Sequence, residues 1–99
     1  MNPQVSVLAT NYSSATSTNP VFYPGGTAAF ECLATNYNAG TVTLQKLGPD
    51  GATWVAVGAS TTITANAFVQ GLSLPPGAYR LAFSAAPTAL FATLSSSLA

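Results

Sequence analysis

Large apolar residues alternate with small or polar residues, at a period of two, in several short runs of this chain. In these runs the apolar face is formed by Phe30, Cys32 and Ala34, by Val42 and Leu44, and by Tyr79, Leu81 and Phe83. Such a run places one set of side chains in a core and the other toward solvent, as in a half-buried strand. At Lys46 and Leu47 the alternation slips, and we expect a bulge or the end of a strand there.

Turn signals separate the runs. Residues 48–51 read Gly-Pro-Asp-Gly, in which proline sets φ while Asp and Gly suit the later turn positions, and this predicts a hairpin between strands through Leu44 and Trp54. Residues 74–77 form a second turn with two prolines, and residues 23–26 and 36–40 mark two more. Turn signals spaced at about 8 to 12 residues favour an all-β sandwich or barrel.

The two ends of the chain differ from this pattern. Leu90, Leu94 and Leu98 recur at helical spacing, but Leu90, Ala92 and Leu94 also suit a strand, which we favour. Residues 1–20 contain a short apolar alternation and then mostly Ser, Thr and Asn, and they predict an extended N-terminal arm or long loop. The expected fold is all-β: an arm over 1–20 and, over 21–99, a small β-sandwich or jelly roll of about seven to eight short antiparallel strands.

The small number of charged residues limits the possible functions most. The 99 residues contain two basic and two acidic side chains and no histidine, and 48% are hydrophobic. Average soluble domains carry about 25% charged residues. Catalysis usually needs a positioned acid, base or nucleophile with a tuning partner, and this supply is nearly absent, so we predict that the protein is not an enzyme. A nearly neutral surface favours association, so we expect an oligomer.

The same composition argues against several kinds of binding partner. Two basic residues cannot form the cationic patch that nucleic-acid binding needs, and no apolar run is long enough to span a membrane. No secretory signal is visible, so we expect synthesis in a cytoplasm. Cys32 stands alone and is expected to be buried, and without histidine no ordinary zinc site can form. We therefore expect no cofactor, metal or small-molecule substrate.

Five residues are candidates for a protein interface. Glu31 lies in a strand, and we expect it to pair across the sheet with Arg80 or Lys46. Asp50 has a turn role, Tyr79 belongs to the core, and Trp54 should be half-buried. Tyrosines in loop-like segments suit contacts with a protein or, less favoured, a glycan. The candidates are Tyr12, Tyr23, Glu31, Tyr37 and Arg80.

Two segments carry a resemblance to a known class of protein. Residues 41–59 contain a TVTLQ strand, the GPDG turn and a tryptophan strand, and residues 72–83 contain LPPG followed by a strand with Tyr79 and Arg80. This pattern resembles small virion proteins of tailed bacteriophages. The resemblance implies a capsid decoration or cement protein: a β-sandwich or jelly roll, often a homotrimer, that binds across junctions of major capsid protein subunits on the virion surface after synthesis in the bacterial cytoplasm.

Three other interpretations remain open at this stage. The first is a receptor- or glycan-binding module of a head fibre or tail component, which exposed Tyr and Trp on one surface would favour. The second is an enzyme, which would require Glu31 and Asp50 to converge in a cleft. The third is an immunoglobulin-like spacer with no ligand.

Overall fold

A computed structural model describes residues 5–96 of the chain, and these residues form strands joined by turns. The strands are β1 (Val5–Tyr12), β2 (Val21–Tyr23), β3 (Gly26–Leu33), β4 (Val42–Leu47), β5 (Trp54–Ala56), β6 (Thr62–Ile63), β7 (Ala67–Leu74), β8 (Gly77–Phe83) and β9 (Leu90–Ser96). The only helical element within this range is a short 3-10 turn, Ala59–Thr61. The prediction of an all-β fold is confirmed. None of the described helical structure has the length and apolarity to cross a membrane.

The strands form two antiparallel sheets packed face to face. Sheet A has the order β1-β9-β3-β7, and sheet B has the order β2-β8-β4-β5, with β6 also paired to β4. The chain first pairs with itself as one long antiparallel ribbon that bends between β4 and β6. The paired strands of this ribbon are β1 with β9, β2 with β8, β3 with β7, and β4 with β6. Rolling the ribbon up adds the pairs β3·β9 and β4·β8. This strand order is that of a jelly roll.

The core lies between the sheets and is built from the inward residues of the alternating runs. Its fully buried side chains come from both sheets and include Phe30, Leu44, Tyr79, Leu81, Leu90 and Leu94. The rings of Tyr23 and Tyr79 meet edge to face at 6.1 Å between centroids. Tyr79 also donates its hydroxyl to the carbonyl oxygen of Pro75 at 2.6 Å, so a buried polar atom at the edge of the core is satisfied. The predicted core role of Tyr79 is confirmed.

The predicted turns lie where the sequence placed them. The Gly48 N–H donates to Thr53 O at 2.7 Å and the Gly51 N–H donates to Gly48 O at 3.0 Å, which closes the β4–β5 hairpin. Gly51 has φ +73°, a conformation that favours glycine. β4 ends at Leu47, as the slip in the pattern indicated. The other three turns each carry the chain from one sheet to the other.

The N-terminal segment differs from the expected arm. Residues 5–12 form β1, an edge strand of sheet A that pairs with β9, and Leu8 and Ala9 are buried in the core. The polar residues that follow are also held, because Thr18 exchanges bonds with Leu81: its N–H donates to Leu81 O, and its hydroxyl oxygen accepts the Leu81 N–H. Backbone pairing needs no apolar side chain, so a Ser/Thr-rich segment joins the sandwich.

The C-terminal segment is a strand, as the sequence analysis favoured. β9 runs over Leu90–Ser96 between β1 and β3, with Leu90, Ala92 and Leu94 buried in the core. Leu98, the third leucine of the alternative helical spacing, lies outside the described residues. A central strand in a sheet satisfies its backbone on both sides, and this tertiary pairing overrides the local helical spacing.

Candidate interaction surface

The outer face of sheet A carries several exposed apolar side chains. The register places Val7, Thr93, Glu31 and Phe68 in one row across all four strands, and it places Phe91 opposite Leu33 in the next row. Successive strand residues point to opposite faces, so the outward residues of this sheet lie side by side. Leu33 and Phe91 are directly paired, while Thr93 and Glu31 lie between Val7 and Phe68 in the neighbouring row.

Five of the seven large hydrophobic side chains exposed in residues 5–96 lie on this surface, which we call the sheet A face. They are Val5, Val7, Leu33, Phe68 and Phe91, with exposed fractions of 61%, 51%, 45%, 58% and 42%. Single exposed apolar side chains are common, but contiguous ones usually mark a place where another molecule binds. The sheet A face is therefore the strongest candidate for an interaction site.

Glu31 lies within the sheet A face. It is directly opposite Phe68 on β7 and Thr93 on β9, and a shallow depression beside it is lined by Leu33 and Phe91. The expected pair with Arg80 or Lys46 is wrong, because those residues lie on β8 and β4 of sheet B. Within residues 5–96 no ion pair involves Glu31. The Glu31 side chain is exposed to solvent.

The outer face of sheet B holds Arg80 in a different environment. The guanidinium carbon of Arg80 lies 4.4 Å from the centroid of the Trp54 ring, and its Nε–H donates to Gln45 Oε1 at 2.9 Å. Stacking over an aromatic face and a hydrogen bond to an amide both suit a guanidinium group. Trp54 is half-buried, as predicted. Phe22, 67% exposed, also lies on this sheet.

Two of the three candidate tyrosines are half-buried and act within the fold. Tyr12 stacks on Phe83 at 5.4 Å between centroids and donates its hydroxyl to Thr16 O at 2.5 Å. Tyr37 donates to Asn66 Oδ1 at 3.0 Å, and its hydroxyl lies 3.8 Å from the sulfur of Cys32. Burial raises the pKa of Tyr37, and the neighbouring Cys32 adds to that rise. Both hydroxyl groups hold loops in place.

The third tyrosine corrects the sequence analysis. Tyr23 was expected to be exposed in a loop-like segment, but it lies in β2 with no exposed surface and donates its hydroxyl to Thr27 O at 3.2 Å. Its ring fills the core beside Tyr79. A fully buried side chain offers no surface to a partner, so Tyr23 is a core residue in this structure.

The remaining groups with chemical potential lie apart. Asp50 is in the β4–β5 turn of sheet B, where the Thr53 N–H, the Thr53 hydroxyl and the Ala52 N–H donate to it and hold its pKa at about 2. It does not meet Glu31, which lies on sheet A. Cys32 is buried, as expected, and burial raises the pKa of its thiol.

Lys46 lies half-buried beside a cleft between β5 and the turn after β7. Its ammonium group donates to the carbonyl oxygen of Leu47 at 3.2 Å. Within residues 5–96, His, Cys, Asp and Glu nowhere form a group of three or more that could hold a metal ion.

Comparisons with protein-family models, with curated proteins and with solved structures give no match to this chain.

Sequence reasoning missed the sheet A face, although a signal was present. The outward position Leu33 interrupts the polar side of the Phe30–Cys32 alternation, and Phe91 does the same in β9. Phe68 alternates with Ala67 and Val69, so both sides of that run are apolar. Apolar residues on the outward side of several strands would have indicated a covered or binding face, but their adjacency requires the strand order.

Proposed function

We propose that this protein is a non-enzymatic virion structural protein, a capsid decoration or cement protein that binds across junctions of major capsid subunits and stabilises a phage head. The observation that carries the proposal is the sheet A face: five exposed large hydrophobic side chains on adjacent strands of a four-stranded sheet. Covering such a surface with another protein is favourable by about 25 cal/mol for each Å² of apolar area that is buried.

The fold and the sequence support the same function. Jelly rolls occur in viral capsid and lectin domains, which is an argument by analogy because a fold does not define a function. The turns and strands that carry the resemblance to phage virion proteins, within residues 41–59 and 72–83, form the β4–β5 hairpin and the β7–β8 connection. Glu31 and Asp50 lie on different sheets, which agrees with a structural role.

A cement role needs area and shape more than charge. Packaged DNA pushes the shell outward, and a protein that bridges capsid subunits adds contacts that must break before the shell opens. Stable protein interfaces bury about 1,200 to 2,000 Å² in total. The sheet A face presents its apolar side chains on a continuous sheet, so little conformational ordering is needed on binding.

The expected homotrimer belongs to the same proposal. β7 spans eight residues, with a bulge at Gly71 in its middle, and lies at the edge of sheet A, where β3 is its partner. A long edge strand offers backbone N–H and C=O groups for pairing with another chain. We propose this edge as the subunit contact and the sheet A face beside it as the capsid contact. Light scattering on the purified protein measures whether it is a trimer.

The glycan-binding alternative has less support. A sugar platform needs open aromatic rings, but Arg80 covers the Trp54 ring, Tyr23 and Tyr79 are buried, and Tyr12 and Tyr37 are half-buried. The exposed aromatic side chains of the described chain are phenylalanines. Phenylalanine has no polar group to bind a sugar hydroxyl, so the sheet A face suits a protein partner better.

The test is binding to phage heads prepared without this protein, measured by co-sedimentation. The double variant Phe68→Thr/Phe91→Thr removes two rings from the sheet A face, whereas Phe22→Thr removes one exposed ring from sheet B and serves as the matched control. Threonine suits an exposed strand position, so the fold should persist. We expect the double variant to bind at least about 100-fold more weakly, because truncating an aromatic hot-spot residue costs about 2 kcal/mol or more and two such rings are removed.

The control should bind heads as the wild type does. Equal binding by the double variant would exclude the sheet A face as the capsid contact. A wild-type protein that does not bind heads, and does not raise the temperature at which they release DNA, would overturn the proposed function.

A further inference from the structure

Glu31 is the one ionisable side chain of the sheet A face. Its direct neighbours across the strands are Phe68 and Thr93, and Leu33 and Phe91 lie with it around the depression on β3 and β9. A partner that covers Phe68 and Phe91 must therefore also remove water from the Glu31 carboxylate. Removing water from an unpaired carboxylate is strongly unfavourable, whereas a charged hydrogen-bonding partner offsets most of that cost.

A second copy of this chain in a symmetric pair has no side-chain cation to place beside Glu31. The two side-chain cations are Lys46 on β4 and Arg80 on β8, and both strands belong to sheet B. If two copies packed their sheet A faces together, the same patch would meet itself, and two carboxylates would be buried without a side-chain cation from either copy. Charge therefore opposes this pairing.

Stacking of copies, sheet A of one on sheet B of the next, is also disfavoured. Arg80 would have to leave Trp54 and Gln45 to reach Glu31 of the neighbour. In addition, the outer faces of a two-layer sandwich point in opposite directions, so repeated stacking makes an open fibre rather than a closed oligomer. The occupant with matching chemistry is a different protein that brings its own cation.

We infer that the partner of the sheet A face presents an arginine or lysine side chain to Glu31, and that this ion pair, enclosed by Leu33, Phe68 and Phe91, selects the partner. The inference rests on the proposed function, for which the partner is the major capsid protein. The apolar side chains supply the driving force, and the carboxylate sets the position and identity of the surface that fits, because like charge or missing charge is penalised there.

Binding to phage heads lacking this protein tests the inference with Glu31→Gln, Glu31→Lys and, as a control, Asp50→Asn. The control removes the same formal charge from a turn outside the sheet A face. We expect Glu31→Gln to bind at least about 30-fold more weakly, since it leaves a buried cation unpaired, and Glu31→Lys to show no binding. Asp50→Asn should bind like the wild type.

Each other outcome overturns a specific statement. If Glu31→Gln binds as tightly as the wild type while Phe68→Thr/Phe91→Thr does not bind, the ion pair is excluded and the proposed function stands. If the wild type does not bind heads, both the proposed function and the inference that rests on it are wrong. If the wild type instead forms fibres that Glu31→Gln abolishes, the occupant is a second copy, and the inference is wrong.

Discussion

The outer faces of the two sheets are built by the same alternation of side chains, but the charged residue on each face has different contacts. On sheet B, Arg80 stacks over Trp54 and donates to Gln45, so its partners come from the same chain. On sheet A, Glu31 lies between Phe68 and Thr93 without an ion pair in residues 5–96, among five exposed large hydrophobic side chains. The charged residue of sheet B has its partners within the fold, and that of sheet A has no ion pair there.

This difference separates stability from binding. A contact made within the chain contributes to the free energy of unfolding, whereas an exposed apolar side chain contributes little until something covers it. Substitution of Arg80 on sheet B should therefore lower stability, and substitutions on the sheet A face should lower only partner binding. Comparing matched residues on the two faces tests that separation.

The largest effect is expected between two neighbours in β3. Phe30 points into the core with no exposed surface, and Glu31 points outward. Phe30→Ala should lower the free energy of unfolding by about 3 to 5 kcal/mol, because it removes buried area and leaves a cavity. Glu31→Ala should change it by less than about 0.5 kcal/mol. Urea unfolding followed by circular dichroism measures both.

Similar losses for the two variants would contradict the separation, because they would mean that Glu31 already contributes to the fold through a contact within the chain. The measurement should be made on the same oligomeric state for both proteins, since association adds to apparent stability.

A smaller effect is expected on comparing the outer faces directly. Arg80→Ala should lower the free energy of unfolding by about 1 to 2 kcal/mol, because it removes the stack on Trp54 and the hydrogen bond to Gln45. Arg80→Lys should recover only part of this, since an ammonium group lacks the planar fork. Phe68→Thr should change stability by less than about 0.5 kcal/mol. A larger loss for Phe68→Thr than for Arg80→Ala would reverse the assignment of the two faces.

The smallest effect concerns Asp50 and has a defined pH range. Its pKa in the folded protein is about 2, below its ordinary value of 3.8, because Thr53 and Ala52 donate to the ionised form. A lowered pKa in the folded state adds stability above the unfolded pKa, and that stability is lost as pH falls through the folded pKa. Asp50→Ala should therefore unfold at a lower temperature than wild type at neutral pH, with the gap closing between about pH 4 and about pH 2. A gap that stays constant over this range would show that the carboxylate charge has no part in the turn.

Local chemistry accounts for the parts of the fold that were predictable. The period of two identified the strands through Phe30, Leu44 and Tyr79, and the Gly-Pro-Asp-Gly turn at residues 48–51 identified the β4–β5 hairpin. Both signals act between residues close in sequence, where φ preferences and side-chain alternation operate without the rest of the chain. The terminal strand β9 was favoured for the same reason.

Predictions failed where the answer depended on which strands meet. Glu31 was expected to pair with Arg80 or Lys46, but Glu31 lies on sheet A and both basic residues lie on sheet B. Tyr23 was assigned to the surface because its neighbours look like a turn, but β2 carries it into the core beside Tyr79. Residues 1–20 were expected to form an extended arm because most of them are Ser, Thr or Asn, but residues 5–12 form β1, which pairs along β9.

The amino-acid sequence by itself therefore determined the all-β class, most strands, the turns and the scarcity of ionisable groups, since each depends on residue type and short-range spacing. Only the tertiary structure decided that Val5, Val7, Leu33, Phe68 and Phe91 lie together around Glu31. These residues come from four strands that are distant in sequence, and rolling one antiparallel ribbon into two sheets makes them neighbours. The physical reason is that backbone pairing between distant strands is nearly independent of the outward side chains, so no local pattern reports it.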